Sequence, residues 1–433
     1  MMRGVWGRRA GVVVLAVLGA LLTARYAWAT WLARAPWGAR YPYENPVMTD
    51  FRDTVMLPWR MIDAGRNPYD LVAHEAMFPD SQEFNPYGPW WLTAMHPIGR
   101  MGWDNATLAY SILLAMATSL GAFAAGWWMS RRAGQWGGLD LPPAAMGFAM
   151  VVLVWVWRPT SVGMGLGNVG SFAALCALLA LLAPGTWWSA LFLALAWVKP
   201  QYGIPLVVAL VVLRRWRSAF AGTAVAGLAS LPMVVKLSGL AGGFGALVRS
   251  VLDQTAQVGA RSGGEPLEGR VDFGLWFALL GASETIALLI GVVLVAAASA
   301  LALRVQRAGR PGAALLLVTV AVLVGFPHLH YDLTMLLPAV VWAGVELVQR
   351  ADRRWGGMVG LLGLAIVLLI FIGIFPGALV MDGAHFSRLQ AVLLGASALL
   401  IAVWALAIPS GQVALDREDG KLASGMSTYR SRR

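Results

Sequence analysis

Apolar runs of about 20 residues, the length that lets a helix cross a hydrocarbon layer, alternate along the chain with short polar joints. The runs fall at 11–31, 105–129, 141–157, 169–183, 186–198, 203–213, 217–235, 281–303, 312–326, 333–349, 357–376 and 387–408. They predict an all-α polytopic membrane bundle of about 10–13 helices. The runs at 186–198 and 203–213 are short enough to form one hairpin or a broken helix. One stretch breaks the pattern. Between the first two runs, the segment from Tyr43 to Gly88 is polar and marked by Trp and Pro. Within it, Phe51, Val55, Leu57, Trp59 and Ile62 recur among polar residues, which predicts an amphipathic helix over 50–64 lying at the membrane interface. Gly65, Arg66, Asn67 and Pro68 end it. A further apolar stretch from Pro86 to Met101 suits a re-entrant segment or a short extra span.

Composition agrees with the pattern. Of 433 residues, 58% are hydrophobic and 13% charged, and the mean hydropathy is +0.66, well beyond a water-soluble globule. The net charge of +11 is spread over short clusters between apolar runs, which is a topological signal and not a nucleic-acid surface. Cys176, the only cysteine, lies within an apolar run, so neither disulfides nor a thiolate metal site is expected.

The basic clusters set the expected orientation. Arg3/Arg8/Arg9, Arg131/Arg132, Arg214/Arg215/Arg217, Arg304/Arg307/Arg310, Arg350/Arg353/Arg354 and the 410–433 tail all fall on one side, which the positive-inside rule makes cytoplasmic. Residues 1–409 then form a single membrane domain, with a first outward loop at 32–104 and a second at 236–280. The Arg261–Pro266 stretch of the second loop reads as a mobile lid or a linker. Every cluster of chemically capable residues lands on the outward face. A carrier would instead place ionisable groups at mid-membrane.

Three clusters stand out. The 43–88 segment holds eight carboxylates, among them Asp50 and Asp53 at i, i+3 on the predicted helix. Their spacing allows either a solvated face paired with Arg52 or Arg60, or a carboxylate base whose pKa is raised by burial. Lys199, Pro200 and Gln201 follow an apolar run, where the lysine either snorkels to headgroups or meets a phosphate. His328, His330 and Asp332 form the third, better suited to binding a phosphate or sugar hydroxyls than to a zinc pattern. The glycines of Gly163–Asn168 lack the lysine and the strand of a nucleotide loop, and suit close helix approach.

Taken together, Thr49-Asp50-Phe51, Gly65 to Tyr69, Asn85-Pro86-Tyr87 with His96-Pro97, Lys199-Pro200-Gln201 with Arg214 to Arg217, and Pro327-His328 with Tyr331 and Pro338 resemble glycosyltransferase family 87. This family of GT-C architecture is typified by bacterial polyprenol-phosphate-mannose-dependent α-mannosyltransferases. The resemblance implies a bacterial plasma-membrane enzyme with cytoplasmic termini and an extracytoplasmic active site. It would move a sugar, mannose or alternatively arabinofuranose, with inversion from a polyprenyl phosphate to a hydroxyl of a lipid- or glycan-linked acceptor. It needs no cofactor or metal. A lipid or glycan flippase is the other class of activity considered. The resemblance makes Asp50 the base, with Asp53 its neighbour, and His328 the histidine near the donor phosphate. Lys199, Gln201, His330, Arg52, Tyr87 and Asn168 complete the expected donor site. Relatives often carry Gly-Gln-x-Asn where this chain has Gly167-Asn168-Val169-Gly170, a departure centred on Asn168.

Overall fold

The structure, a computed structural model, describes residues 2–40, 45–81, 87–134, 142–261, 272, 283–349, 396–397 and 400. The predicted span at 357–376, all but three residues of that at 387–408, the Asn85-Pro86 pair, the 262–266 part of the candidate lid and the 410–433 tail lie outside these residues. The chain is an all-α polytopic membrane protein, and its helices divide into two kinds. The long ones are α1 (Met2–Leu32), α7 (Trp103–Gly134), α13 (Trp216–Ala241) and α15 (Glu284–Arg307). Each contains a segment long and apolar enough to cross a membrane. They show large apolar side chains on their outer surfaces, including Leu21, Leu120, Leu228 and Val293, as a lipid-facing helix must.

The short kind comprises α10 (Gly170–Leu182), α11 (Thr186–Ala196), α12 (Pro200–Val212) and α16 (Pro311–Gly325). A 13-residue helix reaches only about 20 Å, against a hydrocarbon thickness of about 30 Å. Helices α10 and α16 are apolar on all sides and buried almost throughout, the environment such a sequence requires. Helix α7 packs on α10 and α15 on α16, while α1 lies on α7 and α13 lies on α11 and α12. Among the described residues, four helices therefore qualify as crossing on their own, fewer than the apolar runs. A fifth crossing is made if α8 (Pro143–Val156) and α9 (Arg158–Leu166), bent by 67° at their junction, count as one broken span. Residues 158–168, the joint between the apolar runs at 141–157 and 169–183, are thus largely helix α9. The second expected loop is also helical at its start, where α13 runs on through Lys236 to Ala241 and α14 (Phe244–Arg261) follows.

The polar segment between α1 and α7 folds inward. Residues 49–63 are helical as predicted, in three consecutive pieces: α2 (Thr49–Phe51), a π-helical turn (Arg52–Met56) and α3 (Leu57–Asp63). Protein encloses this helix on all sides, every residue from Phe51 to Trp59 being buried. Stacking of Phe51 on Tyr110 of α7 (ring centroids 4.1 Å apart) and a hydrogen bond from Trp59 Nε1 to the Leu92 carbonyl (3.0 Å) hold it there. The apolar stretch after Tyr87 forms only α5 (Pro89–Ala94) and α6 (His96–Gly99), too short to cross. Helix α4 (Leu71–Met77) is capped by the Asp70 carboxylate, which accepts from the Ala73 amide.

Candidate active site

The site is built where four helix ends meet, and each end is set by local sequence. Helix α9 stops at Gly167, whose φ of +70° is the left-handed conformation that a side chain disfavours. The amides of Gly167 and Asn168 donate back to the Met164 and Gly163 carbonyls at 3.0 and 2.9 Å, a Schellman-type stop. A Cβ on Gly167 would sit 2.9 Å from Phe51 Cβ and from Met48 Sδ. The turn therefore backs directly onto the start of α2. Met48 itself takes a φ of 65°, rare for a non-glycine residue, and its amide donates to the Gly165 carbonyl at 2.8 Å. Two left-handed residues thus lock together and aim the next side chain, Asp50.

Asp50 is the one partly exposed residue between Met48 and Trp59. Its Oδ2 accepts from Asn168 Nδ2 at 2.7 Å, and the same amide nitrogen donates to the Tyr331 hydroxyl at 2.9 Å. Asn168 Oδ1 accepts from the Gly170 amide at 2.7 Å, which fixes the orientation of its amide, since the backbone N–H must face oxygen. A Cβ on Gly170 would collide with both Asp332 Oδ1 and Asn168 Oδ1. Asn168 is thus the joint between Asp50 and the rest of the site. Burial raises the Asp50 pKa to about 6; the Asn168 hydrogen bond and the Lys199 charge pull it down, and the Asp53 charge pushes it up.

On the far side of Tyr331 lies a second group of charges. Lys199 is extended because a proline follows it, and Pro200 opens α12 at a position that needs no amide hydrogen. That puts an ammonium at the positive end of a helix, an unfavourable place without an anion. Asp332, in the 3-10 turn His330–Met335, supplies one: Lys199 Nζ donates to its Oδ1 at 3.0 Å. The ammonium also lies 4.7 Å from the Tyr331 ring centroid. His328 Nδ1 pairs with the other oxygen, Oδ2, at 3.2 Å, the His328 ring lies 4.5 Å from that of Tyr202, and the His328 amide donates to Asp272 at 3.4 Å. Burial alone would raise the Asp332 carboxyl, but Lys199 and His328 hold it well below the usual carboxylate range. With Nδ1 committed to Asp332, His328 Nε2 is buried without a protein partner, as is Gln201 Oε1. Such orphaned groups point to a ligand.

The remaining expected residues sort by their contacts. Asp53 accepts from Arg52 Nε at 2.8 Å with both side chains buried, and Arg52 Nη1 donates to the carbonyls of Trp37 and Ala39 at 3.0 and 2.8 Å. The Tyr87 hydroxyl accepts from the Val169 amide at 3.4 Å, and the Gly88 amide donates to the Val198 carbonyl at 3.0 Å. These two bonds join the Tyr87 corner to both α10 and the Lys199 corner. The His330 side chain lies outside the described residues. Asp332, expected only as a member of the His328 cluster, is the hub of the cation group, and Tyr331, expected only as a motif residue, accepts from Asn168 and faces Lys199. The i, i+4 spacing of His328 and Asp332 was the available signal. Among the described residues, no group of three His, Cys, Asp or Glu side chains is gathered to hold a metal.

The family model for glycosyltransferase family 87 matches residues 85–327, more than half of the chain. The chain belongs to glycosyltransferase family 87. This family 87 chain is therefore a membrane glycosyltransferase, acting on a sugar donor and an acceptor. A comparison with curated proteins found no match. The matched span contains Tyr87, Asn168 and Lys199. Asp50 precedes it and His328 follows it, yet Asn168 ties the first, and Lys199 through Asp332 the second, to the matched part of the family 87 chain.

The Gly167 turn gives a direct test of this construction. In Gly167→Ala, the left-handed backbone costs about 1 kcal/mol, and the contact with Phe51 and Met48 adds about 1–3 kcal/mol. Thermal unfolding should fall accordingly, and transferase turnover should drop by about tenfold or more as Asn168 is displaced from Asp50. Wild-type behaviour on both measures would contradict the packing described.

Proposed function

We propose that this transferase takes its sugar from a polyprenyl phosphate, at the outward face, and passes it with inversion to a hydroxyl of a lipid- or glycan-linked acceptor. Mannose is the proposed sugar, with arabinofuranose as the alternative. The observation that carries the reading is Asp50: the one partly exposed residue in a buried helix, joined through Asn168 and Tyr331 to a cation group with orphaned polar atoms.

The roles follow from the geometry. The acceptor oxygen attacks the anomeric carbon, its proton passes to Asp50, and the bond from that carbon to the phosphate oxygen breaks with its electrons on the phosphate. Lys199, His328 Nε2 and the amide of Gln201 stabilise that developing charge, with the N-terminus of α12 behind them. Asp332 holds Lys199 and His328 in place. Asp53 and Arg52 are assigned to holding the π-helical turn, since their hydrogen bonds are made to each other and to the 37–39 backbone.

Purified protein given a labelled polyprenyl-phosphate sugar and acceptor should release polyprenyl phosphate and form labelled product. With Asp50 ionising near pH 6, kcat/KM should fall about tenfold for each pH unit below that value and level off above about pH 7. A chemistry-limited rate that is flat from about pH 5 to pH 8 would remove Asp50 from the role of base. Lipid translocation in proteoliposomes without sugar transfer would replace the transferase reading of this donor with a flippase.

A further inference from the structure

The central helices run from the candidate active site to a second feature at the opposite end of the bundle. Helix α10 begins at Gly170 beside Asn168 and ends at Leu182; α12 begins beside Lys199 and ends at Val212; α16 runs the other way, from Pro311 to Gly325 near His328. At their far ends, with the basic ends of α7 and α15 alongside, lies a cavity of about 540 Å³. That volume suits a small-molecule headgroup.

Its chemistry is one-sided. Arg132, Arg214, Arg215 and Arg217 line it, and no carboxylate is among the described lining residues. Glu346, one turn beyond the lining residue Trp342, is turned to the start of α16, where it accepts from the amides of Gly312 and Ala313 at 2.7 and 3.1 Å. Two of the arginines have structural duties. Arg215 donates to the Leu181 and Ala183 carbonyls at 2.7 and 2.8 Å, and Arg132 donates to Ala183 at 3.4 Å, capping the end of α10. The Arg215 guanidinium is lowered to about 10 by burial and by the Arg132 charge beside it, so it remains protonated at neutral pH and uncompensated.

Arg214 and Arg217 are exposed and make no contact that the cap requires. Arg214 has a φ of 61°, a backbone position that glycine would fill more comfortably. The lining also includes apolar side chains, Leu182, Ala314, Leu315 and Val318 among them. Trp216 lines the cavity, and it and Phe220 are exposed beside it, 59% and 76% accessible, as in the interfacial belt of a membrane protein. Basic and apolar lining together, at the ends of membrane helices, match a phosphate headgroup with the start of its acyl chains. Positive-inside topology accounts for arginines at this end, but not for the convergence of four of them on one cavity.

We propose that this cavity binds the headgroup of an anionic phospholipid, with Arg214 and Arg217 as its selective contacts and Arg132 and Arg215 as its fixed base. The site is separate from the transfer chemistry and does not depend on the donor assigned above. Its phosphate chemistry is shared with soluble phosphates, so the test has one arm for each source.

Full-length protein in detergent is equilibrated with phosphatidylglycerol or phosphatidylcholine of matched chains, and the bound lipid is counted by native mass spectrometry. The wild type should prefer phosphatidylglycerol, and Arg214→Gln/Arg217→Gln should weaken that preference about tenfold. Arg214→Lys/Arg217→Lys should retain most of it, and both variants should unfold at the wild-type temperature. In the second arm, inorganic phosphate without added lipid should give the wild type little protection against unfolding. Equal retention of the two lipids, or an unchanged preference in the glutamine variant, would overturn the proposal. Protection by inorganic phosphate that matches phosphatidylglycerol and depends on Arg214 and Arg217 would overturn the lipid assignment in favour of a soluble anion.

Discussion

Replacing Asp50 by Asn is expected to abolish turnover while leaving the protein at least as stable as the wild type. The activity loss follows from its proposed role: a positioned base contributes about 10²–10⁴-fold, so kcat should fall by about that factor with KM for the donor little changed. The stability gain follows from the pKa. Asp50 is raised from 3.8 to about 6 by burial, so the folded state disfavours the charge that the unfolded chain carries freely. Below pH 3.8 the carboxyl is protonated in both states and costs nothing. As pH rises through about 6 the penalty becomes complete. At neutral pH it amounts to about 3 kcal/mol at most, because each tenfold change in proton affinity between the folded and unfolded chain corresponds to about 1.4 kcal/mol. Asn carries no charge and keeps an oxygen to accept from Asn168. Thermal unfolding at pH 7 and at pH 4 should therefore separate the two proteins at the higher pH and bring them together at the lower. A variant that loses both activity and stability at pH 7 would assign Asp50 a structural duty instead.

Asp53→Asn is expected to do the opposite, with stability as the primary loss. The carboxylate is 2% exposed and meets Arg52, 3% exposed, at 2.8 Å. Removing one member of a buried pair leaves the other charge without its counterion in a low-dielectric setting, at a cost of about 3–5 kcal/mol. Arg52 would still hold the Trp37 and Ala39 carbonyls, so the damage should spread to the 37–39 backbone and the π-helical turn. Unfolding measured on Arg52→Met, Asp53→Asn and the double variant gives the coupling. The double variant should recover a large part of the single-variant loss, because it removes both charges together. Additive losses would show that the pair is not coupled. The two neighbouring aspartates thus predict opposite signatures: activity without stability loss at 50, and stability loss first at 53.

Those opposite signatures also mark how far the chain could be read without its fold. Helix positions were legible because hydropathy is a local property: a run of apolar residues must leave water wherever it sits, and both α1 and α13 fall where their runs predict. Proline and glycine signals were equally local, and Pro200 does open α12 as Gly167 does close α9. Whether a run crosses the membrane or fills the interior was not local. Helices α10 and α16 have the same composition as spans, and only the packing of neighbouring helices, α7 and α11 on α10 and α15 on α16, made them core. The 49–63 helix shows the same limit. Its apolar positions were apparent, but the groups that enclose its polar residues, the 37–39 backbone at Arg52 and Asn168 at Asp50, lie elsewhere in the chain. In the site, the sequence alone determined which residue types were available: Asp50, Asp53, Lys199, His328 and a glycine-rich turn ending in Asn168. Tertiary structure decided their partners, giving Asp53 to Arg52, Lys199 and His328 to Asp332, and Asp50 to Asn168. The Asp53–Arg52 and His328–Asp332 pairings are local, but Asn168 reaches Asp50 from 118 residues away and Lys199 reaches Asp332 from 133. No spacing rule along a single helix carries that information.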